Sequence, residues 1–286
     1  MNIITVISNT KKDPTLEFTK RAVEVLSCYA DTIIIESSLP LENLSANIEY
    51  RDVDSVYDGT DAVVTVGGDG TILKIAPEIS KRNIPVLGIN LGRVGFMAEI
   101  EPDETDLLAK FFSSEYIIDS RMMLDVDVIR NNEKVHTFSC LNDAVIMNGS
   151  ISKMIELELF CNDSYVSTYH ADGLIFSTPT GSTAYSLSAG GTVIDPALEC
   201  ILVTPVCAHS FYNSRPMVFS ASSELSVRDV RIRDENTYLT LDGNTNVHLL
   251  INDFVRIKRS QYTTDLIRIK STRFYNTVYN KLSERR

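Results

Sequence analysis

The chain has 286 residues, 44% of them hydrophobic, which is enough for one large domain or two ordinary ones with full cores. Its 27 Lys and Arg against 38 Asp and Glu leave a formal charge of −11, a poor match to nucleic acid, which calls for a basic footprint. No stretch approaches the ~20 apolar residues that span a bilayer, and the short apolar start lacks the basic lead of a signal peptide. A soluble, cytoplasmic protein with no nucleic-acid or membrane partner is therefore expected. An anionic small ligand stays open, because backbone N–H groups and a few basic side chains can set the local field. The five cysteines are odd in number and show no C-x-x-C spacing, so free thiols are expected rather than a disulfide framework.

Residues 3–7 read as a strand and 14–30 as a helix, with Leu16, Val23, Leu26 and Ala30 on one face and Pro14 in its first turn. Residues 32–35 are a second buried strand. Apolar runs at 62–66 and 85–89 each lead into glycine, and 103–112 looks helical. Such β-α-β order argues for a parallel sheet covered by helices, with ligands beyond the carboxyl ends of its strands. The pattern changes near residue 118. Short runs rich in β formers follow at 118–129, 135–138, 144–147, 155–160 and 165–169, punctuated by Asn131-Asn132, Asn148-Gly149 and Asn162-Asp163. Further strand-like runs lie at 201–206, 225–232, 238–241 and 254–258, and 272–282 suits a terminal helix. The second part thus reads as an antiparallel β domain, and no internal repeat is present.

Four constellations could carry chemistry. Gly67-Gly68-Asp69-Gly70 joins an apolar run to a helix-like stretch at 71–76. Glycines let N–H groups approach a ligand closely, and a helix N-terminus adds unpaired donors, which together make a phosphate cradle. Asp69 inside it would repel phosphate unless it accepts a proton or a divalent cation lies between. A tight turn with Asp69 at a helix N-cap is the plain structural alternative. Neither the Walker loop nor G-x-G-x-x-G occurs. The second constellation runs from Asp172 to Gly191, where a strand-like core enters a run of hydroxyls and glycines with Tyr185 as a stacking face. A sugar, amide or phosphate site suits it better than a polar surface loop. Asn142-Asp143 and Asp242-Gly243-Asn244 are, on local grounds, a turn and a hairpin signal. His170, His209 and His248 stand apart without metal-ligand spacing, so no metal-binding residues are assigned.

Together these residues resemble the NAD kinase family. The glycine loop is shared with phosphofructokinases and lipid kinases, but D-G-x-x-x-S-T-P-T-G-S-T-A-Y followed by S-A-G-G is similar to an NAD kinase signature. The resemblance implies an α/β + β fold: an N-terminal Rossmann-like three-layer α/β domain with a parallel sheet at 1–117, and a C-terminal antiparallel β-rich, sandwich-like NAD-binding domain at 118–265. A tail at 266–286 would pack back on the first domain, with the site in the cleft between domains. It further implies transfer of the terminal phosphoryl group of ATP to the 2′-hydroxyl of the adenosine ribose of NAD, with a divalent cation such as Mg²⁺. Homodimers or homotetramers are the implied assemblies.

By the same resemblance Asp69 is the proton acceptor, lined by Gly67, Gly68 and Gly70. Asn142 and Asp143 match the family's Asn-Glu pair, with the acid shortened by one methylene. Lys153 falls at a position often basic or imidazole, and His170 where many members carry arginine. Asp172 fits the aspartate at the nicotinamide end. Thr183, Ala184, Tyr185, Ser186, Leu187 and Ser188 match the segment around adenosine and ribose, Ala208 a stretch beside adenine, and Asn244 replaces a glutamine. Lys74, about one turn past the loop, is either a phosphate ligand or an exposed helix lysine, and Arg93 is a weaker candidate of the same kind. A lipid or sphingoid kinase on the same loop, a non-catalytic NADP(H)-binding sensor and an NADP phosphatase are the rival readings.

Overall fold

The computed structural model describes the chain apart from residues 1, 40, 42–46, 93–94, 150–153, 210–214, 231–235, 251, 271–273 and 284–286. The chain forms two compact units, one of residues 1–120 with 264–286 and one of residues 121–263.

The first unit begins with β1 (Ile3–Ser8), α1 (Glu17–Ser27), β2 (Thr32–Glu36), β3 (Ile48–Arg51), β4 (Ala62–Gly67), α2 (Asp69–Lys81) and β5 (Val86–Asn90). All of these strands pair in parallel, in the spatial order β5-β4-β1-β2-β3. β4 is buried at every position, as a central parallel strand covered on both faces should be. Leu16, just before α1, and Val23 and Leu26 from α1 pack with Ile4, Ile33, Val64 and Ile89 in one core. α1 starts three residues later than Pro14 predicts. Asp13 Oδ2 accepts both the backbone N–H and the hydroxyl of Thr19 at 2.8 and 2.6 Å, and Leu16 turns the chain with φ 56°. The segment read as a helix at 103–112 is a 3-10 turn, Thr105–Leu108, running into the single α-helical turn α3 (Ala109–Phe112).

The second unit holds most of β6 (Ile117–Arg130), then β7 (Glu133–Cys140), β8 (Asp143–Asn148), β9 (Ile155–Cys161), β10 (Ser164–Ala171) and β11 (Gly173–Ser177). After the short helix α4 (Tyr185–Ser188) come β12 (Cys200–Val206), β13 (Met217–Ser220), β14 (Leu225–Asp229), β15 (Thr237–Leu241), β16 (Thr245–Leu249) and β17 (Phe254–Arg268). One antiparallel sheet has the order β13-β12-β11-β8-β15-β16. Facing it is the antiparallel set β10-β9-β14-β17. Leu157, Val227 and Ile257 from one sheet meet Ile146, Phe176, Ile201 and Leu239 from the other in a single apolar core, the signature of a sandwich. The β6–β7 and β9–β10 hairpins close on the two-residue turns Asn131-Asn132 and Asn162-Asp163, and β15–β16 on the three residues Asp242-Gly243-Asn244; all of these residues but Asn244 have positive φ, as turns between twisted strands require.

The chain then returns to the first unit. The end of β17 pairs in parallel with β5 at Leu266 and Val86, and α5 (Phe274–Ser283) follows. β17 is far longer than the run at 254–258, because it continues through the polar stretch 258–265 to Leu266 and Ile267, which are buried again, Ile267 in the core of the first unit. Among the described residues, no helix is long and apolar enough to cross a membrane.

Candidate active site

In the first unit, β4 ends at Gly67 and α2 begins at Asp69. A Cβ on Gly67 would lie 2.1 Å from Thr71 Oγ1, so only glycine lets the helix fold back onto the strand end. A Cβ on Gly68 would sit 2.7 Å from Lys12 Nζ, which places that ammonium over the loop; Gly70 is open on its outer side. Lys74 is exposed, four residues past Gly70 and hence on the same helix face. Arg93 lies outside the described residues.

Asp69 is half-buried, and its carboxylate is fixed by backbone donors. The Phe96 N–H reaches Oδ2 at 2.8 Å, and the N–H groups of Met97 and Ala98 reach Oδ1 at 3.1 and 3.0 Å. A carboxylate offers about four acceptor positions, so one on Oδ2 is left. The conflict between an aspartate and a phosphate cradle is thus met by the chain itself: three N–H groups balance the carboxylate, and Lys12 lies beside the glycines. Neither Lys12 nor the 96–98 segment stands out in the sequence, because both reach Asp69's loop only through folding.

In the second unit a cavity of about 360 Å³ opens at the start of β8. Asn142, Asp143, Thr240 and Asp242 supply its polar wall, and Val145, Met147, Ala184 and Tyr185 its apolar one. Asn142 and Asp143, read locally as a turn, are held by Asp242 from the β15–β16 hairpin. Its carboxylate accepts the N–H groups of Leu141, Asn142 and Asp143 at 2.8, 2.7 and 3.0 Å. From the other side Thr178 donates its hydroxyl to the Leu141 carbonyl at 2.6 Å, and a Cβ on Gly181 would fall 2.1 Å from the Asn142 carbonyl oxygen. The hydroxyl-rich run is thereby pressed against β8.

Most of those hydroxyls serve the fold. Ser182 donates to the Pro179 carbonyl at 2.6 Å, Thr183 to Thr180 at 3.2 Å, and Ser186 shares a 2.8 Å bond with Thr204; all three are buried. Ala184 and Tyr185 reach the cavity, while Leu187 is half-buried and Ser188 exposed. Asn142 Oδ1 is buried without a hydrogen-bond partner. Burial, and then the charge of Asp242, push the Asp143 carboxyl up to about 7. Burial also raises Asp242, to about 6, against the pull of its three N–H donors. Tyr185 is raised by burial and by Cys207, Asp143 and Asp172, so Asp172 acts on the same wall.

His170 is half-exposed with Nδ1 3.9 Å from Glu156 Oε2. Ala208 is half-buried beyond β12, and Asn244 is exposed on the hairpin turn, where its Nδ2 donates to the Asp242 carbonyl at 3.0 Å. Lys153 lies outside the described residues. Local reading of Asp242 stops at the turn its Asp-Gly pair signals, but the carboxylate holds the cavity wall a hundred residues away.

A parallel α/β unit with a Gly-Gly-Asp-Gly strand-to-helix loop is followed by a β-sandwich with a partly polar cavity. Residues 4–116 match the family described as the ATP-NAD kinase N-terminal domain, and residues 141–269 match the ATP-NAD kinase C-terminal domain. The chain therefore belongs to the NAD kinase family and is an enzyme of that family. It is 38% identical to the NAD kinase of Caldanaerobacter subterraneus subsp. tengcongensis over 290 residues, covering 100% of both chains. It is 43% identical to that of Geobacter sulfurreducens over 223 residues, 78% of each. Among solved structures, yeast NADH kinase complexed with NADH shares the fold at a TM-score of 0.86 and 23% identity, covering 99% of this chain and 88% of that one. An NAD kinase from Archaeoglobus fulgidus in complex with ATP superposes at 0.74, with 24% identity and 98% of each chain covered.

Proposed function

We propose that this enzyme transfers the terminal phosphoryl group of ATP to the 2′-hydroxyl of the adenosine ribose of NAD. The hydroxyl oxygen forms the new bond to phosphorus, the bond to the bridging oxygen breaks, ADP leaves, and the hydroxyl proton passes to Asp69. The observation that carries this reading is the Asp69 carboxylate, fixed by three N–H groups with one acceptor position spare. A base so held cannot swing away, and phosphoryl transfer depends on alignment and charge balance more than on covalent help. The N–H groups of the glycine loop, with Lys12 and Lys74 beside it, suit the polyphosphate.

The cavity beside Asn142, Asp143 and Tyr185 suits part of the dinucleotide, with Asp172, His170, Lys153, Ala208 and Asn244 as further contacts on the resemblance alone. Among the described residues, no three His, Cys, Asp or Glu side chains gather as metal ligands. Mg²⁺ is accordingly taken as part of the donor substrate, MgATP. The neighbours solved with NADH and with ATP support both ligands. A cytoplasmic homodimer or homotetramer is the accompanying expectation, read by light scattering. The deciding experiment is a coupled assay for NADP formation with MgATP, run separately on NAD and NADH. No 2′-phosphorylated product from either would refute the reading.

A further inference from the structure

Nothing in the backbone asks for glycine at position 68. Its φ is 167°, extended chain that any residue adopts. Asn90 Oδ1 and the Gly92 backbone nitrogen would lie 3.7 Å from a Cβ there, an ordinary contact distance. Gly67 is the contrast, since its Cβ would strike Thr71 Oγ1 and Asn9 Cβ. The closest atom to a Cβ on Gly68 is the Lys12 ammonium, at 2.7 Å. The absent side chain keeps open the space in which that ammonium lies.

Lys12 is exposed, but its backbone is anchored. Asn9 donates its N–H to the Val66 carbonyl at 2.9 Å and its Nδ2 to Thr71 Oγ1 at 3.3 Å. The turn after β1 is thus tied to the end of β4 and to the first turn of α2. The Asn9 carbonyl then accepts the N–H groups of Lys12 and Asp13, both at 2.9 Å. The nearby acids are engaged elsewhere: Asp13 holds Thr19, and Asp69 is bonded to the 96–98 segment. Among the described residues the Lys12 ammonium has no ion-pair or hydrogen-bond partner, whereas Lys81, Lys134 and Lys270 pair with Glu78, Asp127 and Glu104. A cation without a counter-ion, held over a strand end that lacks a side chain, is arranged for an anion.

We propose that Lys12 is the cationic arm of the phosphate-donor site: its ammonium donates to a non-bridging phosphate oxygen over Gly68, and the missing Cβ of Gly68 leaves room for both. The ligand class is a linear polyphosphate, free or as the tail of a nucleoside triphosphate, because the pair supplies charge and space but nothing that reads a base. The proposal rests on the phosphoryl-transfer reading only for the use to which the phosphate is put.

Calorimetry of the full chain with sodium tripolyphosphate tests the anion site without turnover. Lys12→Met should weaken binding by about tenfold to a hundredfold, the share of one charged hydrogen bond. Lys12→Arg should recover part of the loss. Lys20→Met removes the same charge from an exposed position on α1 and should stay within about twofold, because distant surface charges are screened. Gly68→Ala should weaken binding while its urea midpoint equals or exceeds that of wild type, as a Gly-to-Ala change at unstrained φ does. In a coupled assay Lys12→Met should raise the KM for MgATP by the same factor and leave the KM for NAD level. Tripolyphosphate binding that is absent in wild type, or equal in wild type and Lys12→Met, overturns the proposal. So does a Lys20→Met loss as large as that of Lys12→Met, or a KM for NAD that rises as far as the KM for MgATP. A chain that makes no NADP but binds tripolyphosphate through Lys12 supports the anion site and refutes the kinase reading alone.

Discussion

Asp69 and Arg268 grip the same short segment by opposite ends of its peptide groups. Asp69 accepts the N–H groups of Phe96, Met97 and Ala98, while Arg268 donates to the carbonyls of Phe96 and Met97 at 3.2 and 2.9 Å. The same guanidinium pairs with Asp119 at 3.0 Å and Glu99 at 3.1 Å. The segment is therefore the fixed part against which the Asp69 carboxylate is set.

Arg268→Met should loosen that setting. The side chain is 14% exposed, and its loss takes the cation from the Glu99 carboxylate, itself 8% exposed, which the N–H groups of Ile269 and Lys270 still hold at 3.0 and 2.6 Å. Losing a hydrogen bond to a charged group costs about 1.5–3 kcal/mol, so the melting temperature should fall by several degrees. Turnover should fall further than the remaining folded fraction explains. Arg268→Lys, which cannot fork between carbonyls and carboxylates, should recover only part of either loss. Equal turnover per folded molecule in wild type and Arg268→Met would show that the 96–98 segment does not set the base.

Asp69→Asn removes the carboxylate proposed as proton acceptor and with it one of two acceptor oxygens. Its amide NH₂ would face a backbone N–H of the 96–98 segment, so a loss of ~1 kcal/mol in stability is expected. Turnover should drop by about 10²–10⁴, the usual share of a general base. Calorimetric binding of NAD should change little. Turnover within a few-fold of wild type removes Asp69 from the reaction.

Gly67→Ala tests the packing of the loop itself. The new methyl would meet Thr71 Oγ1 at 2.1 Å and Asn9 Cβ at 3.0 Å. Overpacking of this kind costs about 1–3 kcal/mol. Adding Thr71→Ala removes the shortest contact, so the double variant should regain much of the urea midpoint. A single variant as stable as wild type would mean that the strand end moves freely.

How far the sequence speaks for itself differs from residue to residue. β4 and its glycines are legible because a fully buried parallel strand is a continuous apolar run, and a close helix start needs glycine. The three hairpin turns are legible because Asn, Asp and Gly tolerate positive φ. The start of α1 is misplaced because Asp13 and Thr19 settle it by a side-chain bond across the first turn. The polar stretch of β17 and the edge strands β3, β13 and β16 carry no strong apolar alternation, since strand pairing supports them. Among site residues, Asn142 and Asp143 come from resemblance to a family pattern. Asp242, Arg268 and Lys12 are set by long-range geometry that no local spacing encodes.

The acid pair also leaves a mark on stability. An Asp143 carboxyl at about 7 in the folded chain keeps a proton that the unfolded chain has lost above its ordinary value of 3.8. Protons bound by the folded state and not by the unfolded one make stability fall as pH rises through that window, and level off above it. Asp242, raised to about 6, contributes in the same direction over a narrower range. The limiting slope is about 1.4 kcal/mol per pH unit for one proton. Subtracting the unfolding free energy of Asp143→Asn from that of wild type cancels the distant groups. That difference should decline from pH 4.5 to pH 7 and flatten beyond. A difference that stays constant across the range would mean that Asp143 ionises in the folded chain as it does in the unfolded one.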